Sequence, residues 1–147
     1  MLEVEYSTNV SQRNTLSLFS SEWIWRISMI TFGSGKILEC SSRGDKRFSA
    51  FYARIKGRNN KTIEELYQAF KLFPGMIQGL PIKEAKGRHP INMDACRVFY
   101  RQLWDEYIKE NPDLLDVIKQ YDGFSDIFGQ KGHVCQAEEI YRIKQSL

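Results

Sequence analysis

The chain has few of the residues that build metal sites or covalent cross-links. Its 147 residues include three cysteines (Cys40, Cys96, Cys135) and two histidines (His89, His133). No C-x-x-C pair occurs, and these five residues do not form a structural zinc motif. We therefore expect no metal, a reducing compartment, and buried, unreactive cysteines. A nucleophilic His133–Cys135 pair is the less common alternative.

Long apolar runs are also missing. The most apolar stretch, residues 16–32, is interrupted by Glu22 and Arg26. It is too short and too charged for a membrane-spanning helix, and it lacks the basic start of a signal peptide. We therefore predict a cytoplasmic protein that does not contact a membrane.

Acidic residues are scarce in one segment. Residues 43–61 contain seven lysines and arginines against Asp45 alone, a net charge of +6, whereas residues 105–147 carry nine acidic and five basic residues, a net of −4. The formal charge of the whole chain is only +3. A basic segment of this kind favours a phosphate-bearing ligand, and a solvated basic loop explains it equally well.

The pattern of apolar residues predicts a mostly helical α+β fold in a single domain, 1–147, whose first 15 residues form a flexible start. Alternating residues at 23–30 and an apolar stretch at 36–40, separated by a glycine turn, predict an antiparallel β-hairpin. Helical spacing predicts helices at 61–71, at 92–110, after Asn111-Pro112, and from Val134 onward. The segments 41–60, 74–92 and 122–132 are predicted loops, the first with one helical turn at 51–55.

The helix at 61–71 carries the most informative pattern. Its apolar face consists of Ile63, Leu66, Tyr67 and Phe70. Thr62 and Glu65 have the spacing of a capping box at its start. Glu64, Gln68 and Lys71 follow one flank at spacings of four and three, so that a carboxylate, an amide and an ammonium group can reach one cleft. An ordinary surface helix has the same pattern.

Three further segments carry groups suited to a nucleotide ligand. In residues 42–52, Arg43 and Arg47 supply planar donors for phosphate, and Phe48, Phe51 and Tyr52 supply rings for stacking or for the core. Residues 85–89 form a second basic segment with Arg88. In the glycine-bounded segment 124–132, Asp126 suits a ribose contact or acid–base chemistry, or it caps a turn.

Taken in order, these segments resemble the NADAR (YbiA-like) domain family over residues 42–145. The matching pieces are F-S-A-F-Y (48–52), T-I-E-E-L-Y-Q-A-F-K (62–71), G-R (87–88), N-P-D-L-L (111–115) and D-I-F-G (126–129). The family has S-N-F-Y, T-V-E-H-Y-Y-Q-A-Q-K, G-R, N-P-E-L and D-x-x-W-G at these places. Phe128 therefore stands where the family has tryptophan, and Glu65 where it has histidine. The order of the five pieces carries the resemblance, because each piece alone is common.

The resemblance implies a YbiA-like fold and hydrolysis of an N-glycosidic bond in an ADP-ribose or ribose-phosphate substrate, without a cofactor. It implies the catalytic carboxylate at Glu64, where a carboxylate stabilises oxocarbenium character and aligns water, and a ribose-orienting or assisting group at Asp126. The implied substrate contacts are Arg43, Arg47 and Arg88 on phosphates, with Ser49, Tyr52, Gln68, Lys71 and Phe128 around the ribose and base.

Two other functions fit the same residues. The first is a non-catalytic module that binds or sequesters an ADP-ribose-type nucleotide. The second is an accessory protein that binds nucleic acid, modified or plain, through residues 43–61. The sequence does not predict an oligomeric state.

Overall fold

The computed structural model describes residues 27–129 and 133–147. The strands are β1 (Ile27–Gly33), β2 (Ile37–Glu39), β3 (Arg54–Ile55), β4 (Lys61–Thr62) and β5 (Gly123–Gly129). The helices are α1 (Ile63–Phe70), α2 (Ile82–Ala85), α3 (Met93–Glu110), α4 (Asp113–Lys119) and α5 (Gln136–Gln145). Helices with a small sheet confirm the predicted α+β class. The predictions for residues 1–15, for the strand before residue 27 and for residues 130–132 lie outside the described residues.

The main sheet has the order β1-β5-β2, so the predicted N-terminal hairpin is wrong. β5 pairs antiparallel with β1 and parallel with β2, and it lies between the two strands that were expected to pair. The predicted loop at 122–132 is therefore mainly a central strand. Gly123 makes this insertion possible, because a Cβ at this position would lie 2.5 Å from Ile37 Cδ1 and 2.9 Å from Phe32 O.

Local signals at the start of α1 are confirmed. The Thr62 hydroxyl accepts a hydrogen bond from Glu65 N, and the Glu65 carboxylate accepts one from Thr62 N, which completes the capping box. The helix ends at Phe70, three residues before the predicted stop at Phe73-Pro74-Gly75, because Lys71 already has an extended backbone.

The face that α1 buries differs from the predicted one. Its buried residues are Ile63, Glu64, Tyr67 and Gln68, whereas Leu66 and Phe70 are only half-buried. The helix is thus rotated so that its polar flank points inward. An open apolar groove of about 490 Å³, lined by Leu66, Phe70 and their neighbours, lies on the outer side and contains no carboxylate.

The long helix α3 forms the centre of the core, as its spacing predicts. Cys96, Tyr100, Leu103 and Tyr107 are buried along it, together with Trp104, while Phe99 is half-buried. Helix α5 packs against both α3 and strand β5, with Ala137 and Ile140 of α5 fully buried. Burial of these large side chains is the main favourable term in folding. Among residues 27–129 and 133–147, no helix is long and apolar enough to span a bilayer.

The segments between these elements depart from the predictions in detail. Residues 41–60 contain two short 3-10 turns (Lys46–Phe48, Lys56–Arg58) and strand β3, which pairs with β4 just beyond them, rather than a helical turn at 51–55. The predicted loop 74–92 contains α2. Asn111 does not cap α4 with its side chain; its Nδ2 donates to Tyr107 O at the end of α3, and Pro112 occupies the cap.

Candidate functional site

The loop at residues 49–53 is bonded directly to the start of α1. Glu64 N donates to Ala50 O at 3.0 Å, and Ile63 N donates to Ala53 O at 2.9 Å. Ser49 is fully buried, and its hydroxyl accepts a weak hydrogen bond from Phe51 N at 3.4 Å. These contacts place the loop that resembles the family's serine-aromatic segment against the helix that carries Glu64.

Glu64 is held inside the protein by its own helix. Its side chain is only 7% exposed, and Gln68 Nε2 donates to Glu64 Oε2 at 2.6 Å. This pair uses the i, i+4 spacing noted in the sequence. Gln68 Oε1 is buried and has no hydrogen-bond partner among the described residues. The pair therefore presents both a carboxylate and a free amide acceptor on one side of α1.

Asp126 occupies the middle of β5, opposite Ile30 of β1. Its Oδ1 accepts hydrogen bonds from Ile127 N at 2.8 Å and Gln136 Nε2 at 3.2 Å, and its Oδ2 lies 3.7 Å from Cys135 Sγ. Burial raises the pKa of the Asp126 carboxyl to about 7, although these three hydrogen bonds lower it. A carboxyl with this pKa can donate or accept a proton near neutral pH.

A chain of hydrogen bonds runs from the Asp126 carboxyl group to the backbone N–H of Glu64. Gln136 donates to Asp126 and, through Oε1, accepts from Ala50 N at 2.6 Å, while Ala50 O accepts from Glu64 N. Tyr100 of α3 lies close enough to both carboxyl groups for each to change the pKa of its hydroxyl. Burial raises the pKa of its hydroxyl well above the ordinary value, and Glu64 and Asp126 raise it further. The structure therefore brings the two predicted catalytic residues to one buried region.

Lys71 differs from its predicted role at the edge of a cleft. It is 2% exposed, and its Nζ donates to Ala85 O and to Arg88 O, both at 3.2 Å. Burial lowers the pKa of its ammonium group, while Glu64 and Cys96 raise it. Lys71 thus holds residues 85–88 against the end of α1. The Arg88 guanidinium lies over the Phe73 ring, 4.1 Å from its centroid.

The other predicted phosphate contacts are not all grouped with Glu64. Arg47 forms a two-bond pair with Asp45, at 3.0 and 2.6 Å, and Tyr107 donates to Arg47 O. Tyr107 follows Tyr100 by seven residues on α3, which places it about 10 Å further along the helix axis. Arg43 is exposed, and its N–H contacts Ser41 Oγ. Arg47 thus contacts Asp45 and Tyr107, and no hydrogen bond joins it to Glu64 or Asp126 among the described residues.

The aromatic residues of the loop divide between core and surface. Phe48 is fully buried, as its core interpretation predicts, whereas Phe51 and Tyr52 are 40% and 51% exposed. Each exposed ring carries a lysine ammonium over it: Lys86 on Phe51 at 4.7 Å and Lys46 on Tyr52 at 4.9 Å. Phe128 pairs with Ser28 in the β1–β5 ladder, and its side chain lies outside the described residues.

The basic segment 43–61 carries less free charge than the sequence indicates. Arg58 forms a two-bond pair with Glu106, both bonds at 2.7 Å. Glu110 accepts from two backbone N–H groups of the same segment, and Asp45 pairs with Arg47. Carboxylates thus neutralise part of the surface that the nucleic-acid hypothesis requires.

The cysteines behave as the sequence predicts for buried thiols. All three are free and buried, and burial raises the pKa of Cys135 well above its ordinary value. His133 does not face Cys135: its Nε2 lies 3.4 Å from His89 Nδ1, whereas Cys135 Sγ lies beside Asp126. The alternative of a His133–Cys135 nucleophilic pair is therefore wrong.

Sequence reasoning missed three residues of this region: Gln136, Tyr100 and the partner of His133. Gln136 lies 86 residues from Ala50, and His89 lies 44 residues from His133. No local spacing signals such contacts, although the two histidines are the only ones in the chain.

Comparison with known proteins does not assign the chain, since no family model matches it and no curated protein matches it. The resemblance to the NADAR family therefore remains a prediction that rests on the five ordered motifs.

Proposed function

We propose that this protein binds an ADP-ribose-type nucleotide and hydrolyses its N-glycosidic bond, with Glu64 and Asp126 as the two catalytic carboxyl groups. Two observations support the proposal: a hydrogen-bonded path runs from the Glu64 backbone N–H through Ala50 and Gln136 to the Asp126 carboxyl group, and both carboxyl groups raise the pKa of the buried Tyr100 hydroxyl. Two buried carboxyl groups can serve this reaction as a general acid and a general base.

The two groups differ in a way that suits different roles. The raised pKa of Asp126, about 7, lets its carboxyl hold a proton near neutral pH and donate it to the departing base nitrogen. Glu64, fixed by Gln68, stabilises positive charge at the anomeric carbon and takes a proton from the attacking water. The C–N bond electrons leave with the base, and the water oxygen forms the new bond to carbon.

An assay with an oligonucleotide that carries ADP-ribosylated guanosine tests this proposal. We expect wild-type protein to release ADP-ribose, and Glu64→Gln and Asp126→Asn to be at least about 100-fold slower, as is usual for loss of a catalytic acid or base. The exposed carboxylates Glu84 and Asp116 offer matched controls, and Glu84→Gln and Asp116→Asn should keep wild-type rates. Absence of release by wild type, or equal release by Glu64→Gln, would contradict hydrolysis.

One observation favours the non-catalytic alternative. Glu64 Oε2 is already engaged by Gln68, and Glu64 and Asp126 are only 7% and 5% exposed. A protein that only binds the nucleotide would keep both groups as buried structural partners. Calorimetry with ADP-ribose, followed by chromatography of the ligand, separates the two functions: binding with intact recovery of every conjugate tested supports the binding module, and release of the base supports the hydrolase.

A further inference from the structure

Basic side chains collect beside the buried end of α1. His89 Nδ1 and His133 Nε2 are 3.4 Å apart, with the ring planes at 71°. Arg97, in the second turn of α3, reaches the same place, since its Nε lies 3.5 Å from His133 O. Lys71 is close enough to lower the pKa of His133. Two imidazoles, a guanidinium group and an ammonium group therefore come together from four separate places in the chain.

The charge of this cluster is only partly balanced. Burial lowers the pKa of His133, and Lys71, His89 and Arg97 each lower it further. The carboxylates that act on the cluster are Asp94, 3.4 Å from Arg97 Nη1 with a fully exposed side chain, and Glu64, which acts on Lys71. An exposed ion pair of this kind contributes little. Arg97 and Lys71 carry like charge, and protonation of His133 would add to it, so an anion that contacts these groups is favoured.

A buried hydroxyl group beside the cluster also supports a bound ligand at this place. Tyr67 OH has no hydrogen-bond partner among the described residues. Arg97 influences its pKa, and Lys71 Nζ lies 5.5 Å from the centroid of its ring. A buried hydroxyl without a partner is costly, and it is common at positions that contact a ligand. Tyr67 therefore adds a neutral donor to the cationic ones.

We propose that His89, His133 and Arg97 bind a phosphate-type dianion, with Tyr67 as an additional donor, and that this binding becomes tighter as the pH falls. The natural occupant, one phosphate of a nucleotide pyrophosphate, rests on the proposed function; the anion site itself does not. Protonated imidazoles and a guanidinium group are donors that a phosphate accepts well. A divalent metal is the weaker reading of two histidines, because no third His, Cys, Asp or Glu joins them among the described residues.

The pH dependence follows from linkage. Burial and neighbouring cations lower the pKa of His133 in the free protein, whereas a bound dianion raises it. His133 therefore takes up a proton on binding, and the affinity rises as the pH falls through the histidine range. Inorganic sulfate is the suitable probe, because its charge stays constant from pH 5 to 8 whereas that of phosphate does not. We expect the sulfate affinity to rise about tenfold between pH 7.5 and 5.5 at constant ionic strength.

Proton NMR provides a direct readout, because the chain has only two histidines. Sulfate should move the titration of the His133 ring to higher pH and perturb the His89 signal. His133→Gln and Arg97→Gln should each weaken sulfate binding about tenfold. Arg101, one turn further along α3 and paired with Glu139 at 3.4 Å, gives the matched control, and Arg101→Gln should leave the affinity unchanged.

The outcomes separate this inference from the proposed function. Sulfate affinity that is independent of pH, or equal in wild type and His133→Gln, overturns the anion site, as does tight Zn²⁺ binding that displaces sulfate. If sulfate binds as expected, and ADP-ribose but not adenosine competes with it, the site is supported even when no base is released. If base is released normally by His133→Gln and Arg97→Gln while sulfate does not bind, the anion site fails and the hydrolase stands.

Discussion

The two polar clusters on either side of Lys71 are built in opposite ways. The carboxyl cluster of Glu64, Asp126 and Gln136 is nearly buried; Gln136 donates to Asp126, and the Ala50 backbone links Gln136 to the Glu64 N–H. The histidine cluster is more exposed: its two imidazoles contact each other, and Lys71, His89 and Arg97 disfavour the protonated form of His133. A connected, buried network is preorganised before any ligand arrives, whereas a cluster of like charges gains stability from a ligand. The contrast suggests that the first cluster performs chemistry and the second binds charge.

The largest expected effect concerns the proton of Asp126. The folded state holds this proton up to about pH 7, whereas an unfolded aspartate releases it near its ordinary value of 3.8. The folded state thus binds more protons between these pH values. The stability that this proton contributes to the folded state is complete below about pH 4 and is lost as the pH rises through 7. Asp126→Asn should remove this loss, on the order of 2–4 kcal/mol.

Urea denaturation at pH 4.5, 6 and 7.5 measures this difference. The free energy of unfolding of Asp126→Asn, relative to wild type, should increase with pH. Asp116→Asn, at an exposed carboxylate, should follow the wild-type profile. A wild-type minus Asp126→Asn difference that stays flat across these pH values would show that Asp126 is ionised throughout.

The second effect breaks the hydrogen-bonded path at its centre. Gln136→Leu removes the acceptor of the buried Ala50 N and one donor to Asp126. A buried group left without a partner costs about 1–3 kcal/mol, so we expect a destabilisation of about 2 kcal/mol or more. Gln145→Leu, at an exposed position of the same helix, should change stability by less than about 0.5 kcal/mol. Equal midpoints in urea for the two variants would mean that Ala50 and Asp126 do not depend on Gln136.

The third effect tests Lys71 as the residue that faces both clusters. Lys71→Met keeps a long apolar side chain and removes the charge that lowers the pKa of His133. We expect the pKa of His133 to rise but to stay below its ordinary value, since the remaining causes, burial first and then His89 and Arg97, stay in place. NMR titration gives this value, and Lys109→Met, at an exposed position of α3, serves as the control. An unchanged His133 titration in Lys71→Met would show that Lys71 does not act on the histidine cluster.

The smallest effect is the stability linked to His133. Its pKa in the folded state is lowered, so its contribution is present above about pH 6.5 and is lost as the pH falls below that value. Because the ring is partly exposed, we expect only a few tenths of a kcal/mol. The direction is opposite to that of Asp126. Denaturation of wild type and His133→Gln at pH 7.5 and 5.5 checks it, and sulfate should reverse the loss. If, without sulfate, wild type became more stable relative to His133→Gln on going from pH 7.5 to 5.5, the neighbouring cations would not disfavour the protonated form of His133.

The sequence predicts what depends on local geometry. Thr62 and Glu65 form the expected capping box because both bonds span three residues, and Glu64 pairs with Gln68 one helical turn away. Tyr100 and Leu103 are buried because helical spacing alone places them on one face of α3. These features need no knowledge of distant partners.

Pairing between distant segments could not be predicted in the same way. The sequence G-F-S-D-I-F-G (123–129) has glycines at both ends and a central Asp126, which are loop signals, and it becomes a strand only because β1 and β2 flank it. Lysine usually lies at the surface, but Lys71 is buried because the backbone carbonyl groups of residues 85 and 88 accept hydrogen bonds from its ammonium group. In both cases a contact remote in sequence overrides the local preference.

The most direct measurement is the single-turnover release of ADP-ribose from an oligonucleotide with ADP-ribosylated guanosine, followed from pH 5 to 9. For wild type we expect release whose rate falls as the pH rises through about 7, where Asp126 loses its proton. Asp126→Asn should lose that dependence together with most of the rate, and Glu64→Gln should be slow at every pH. Release by Glu64→Gln and Asp126→Asn at the wild-type rate, or no release by wild type at any pH, would contradict catalysis by these two carboxyl groups.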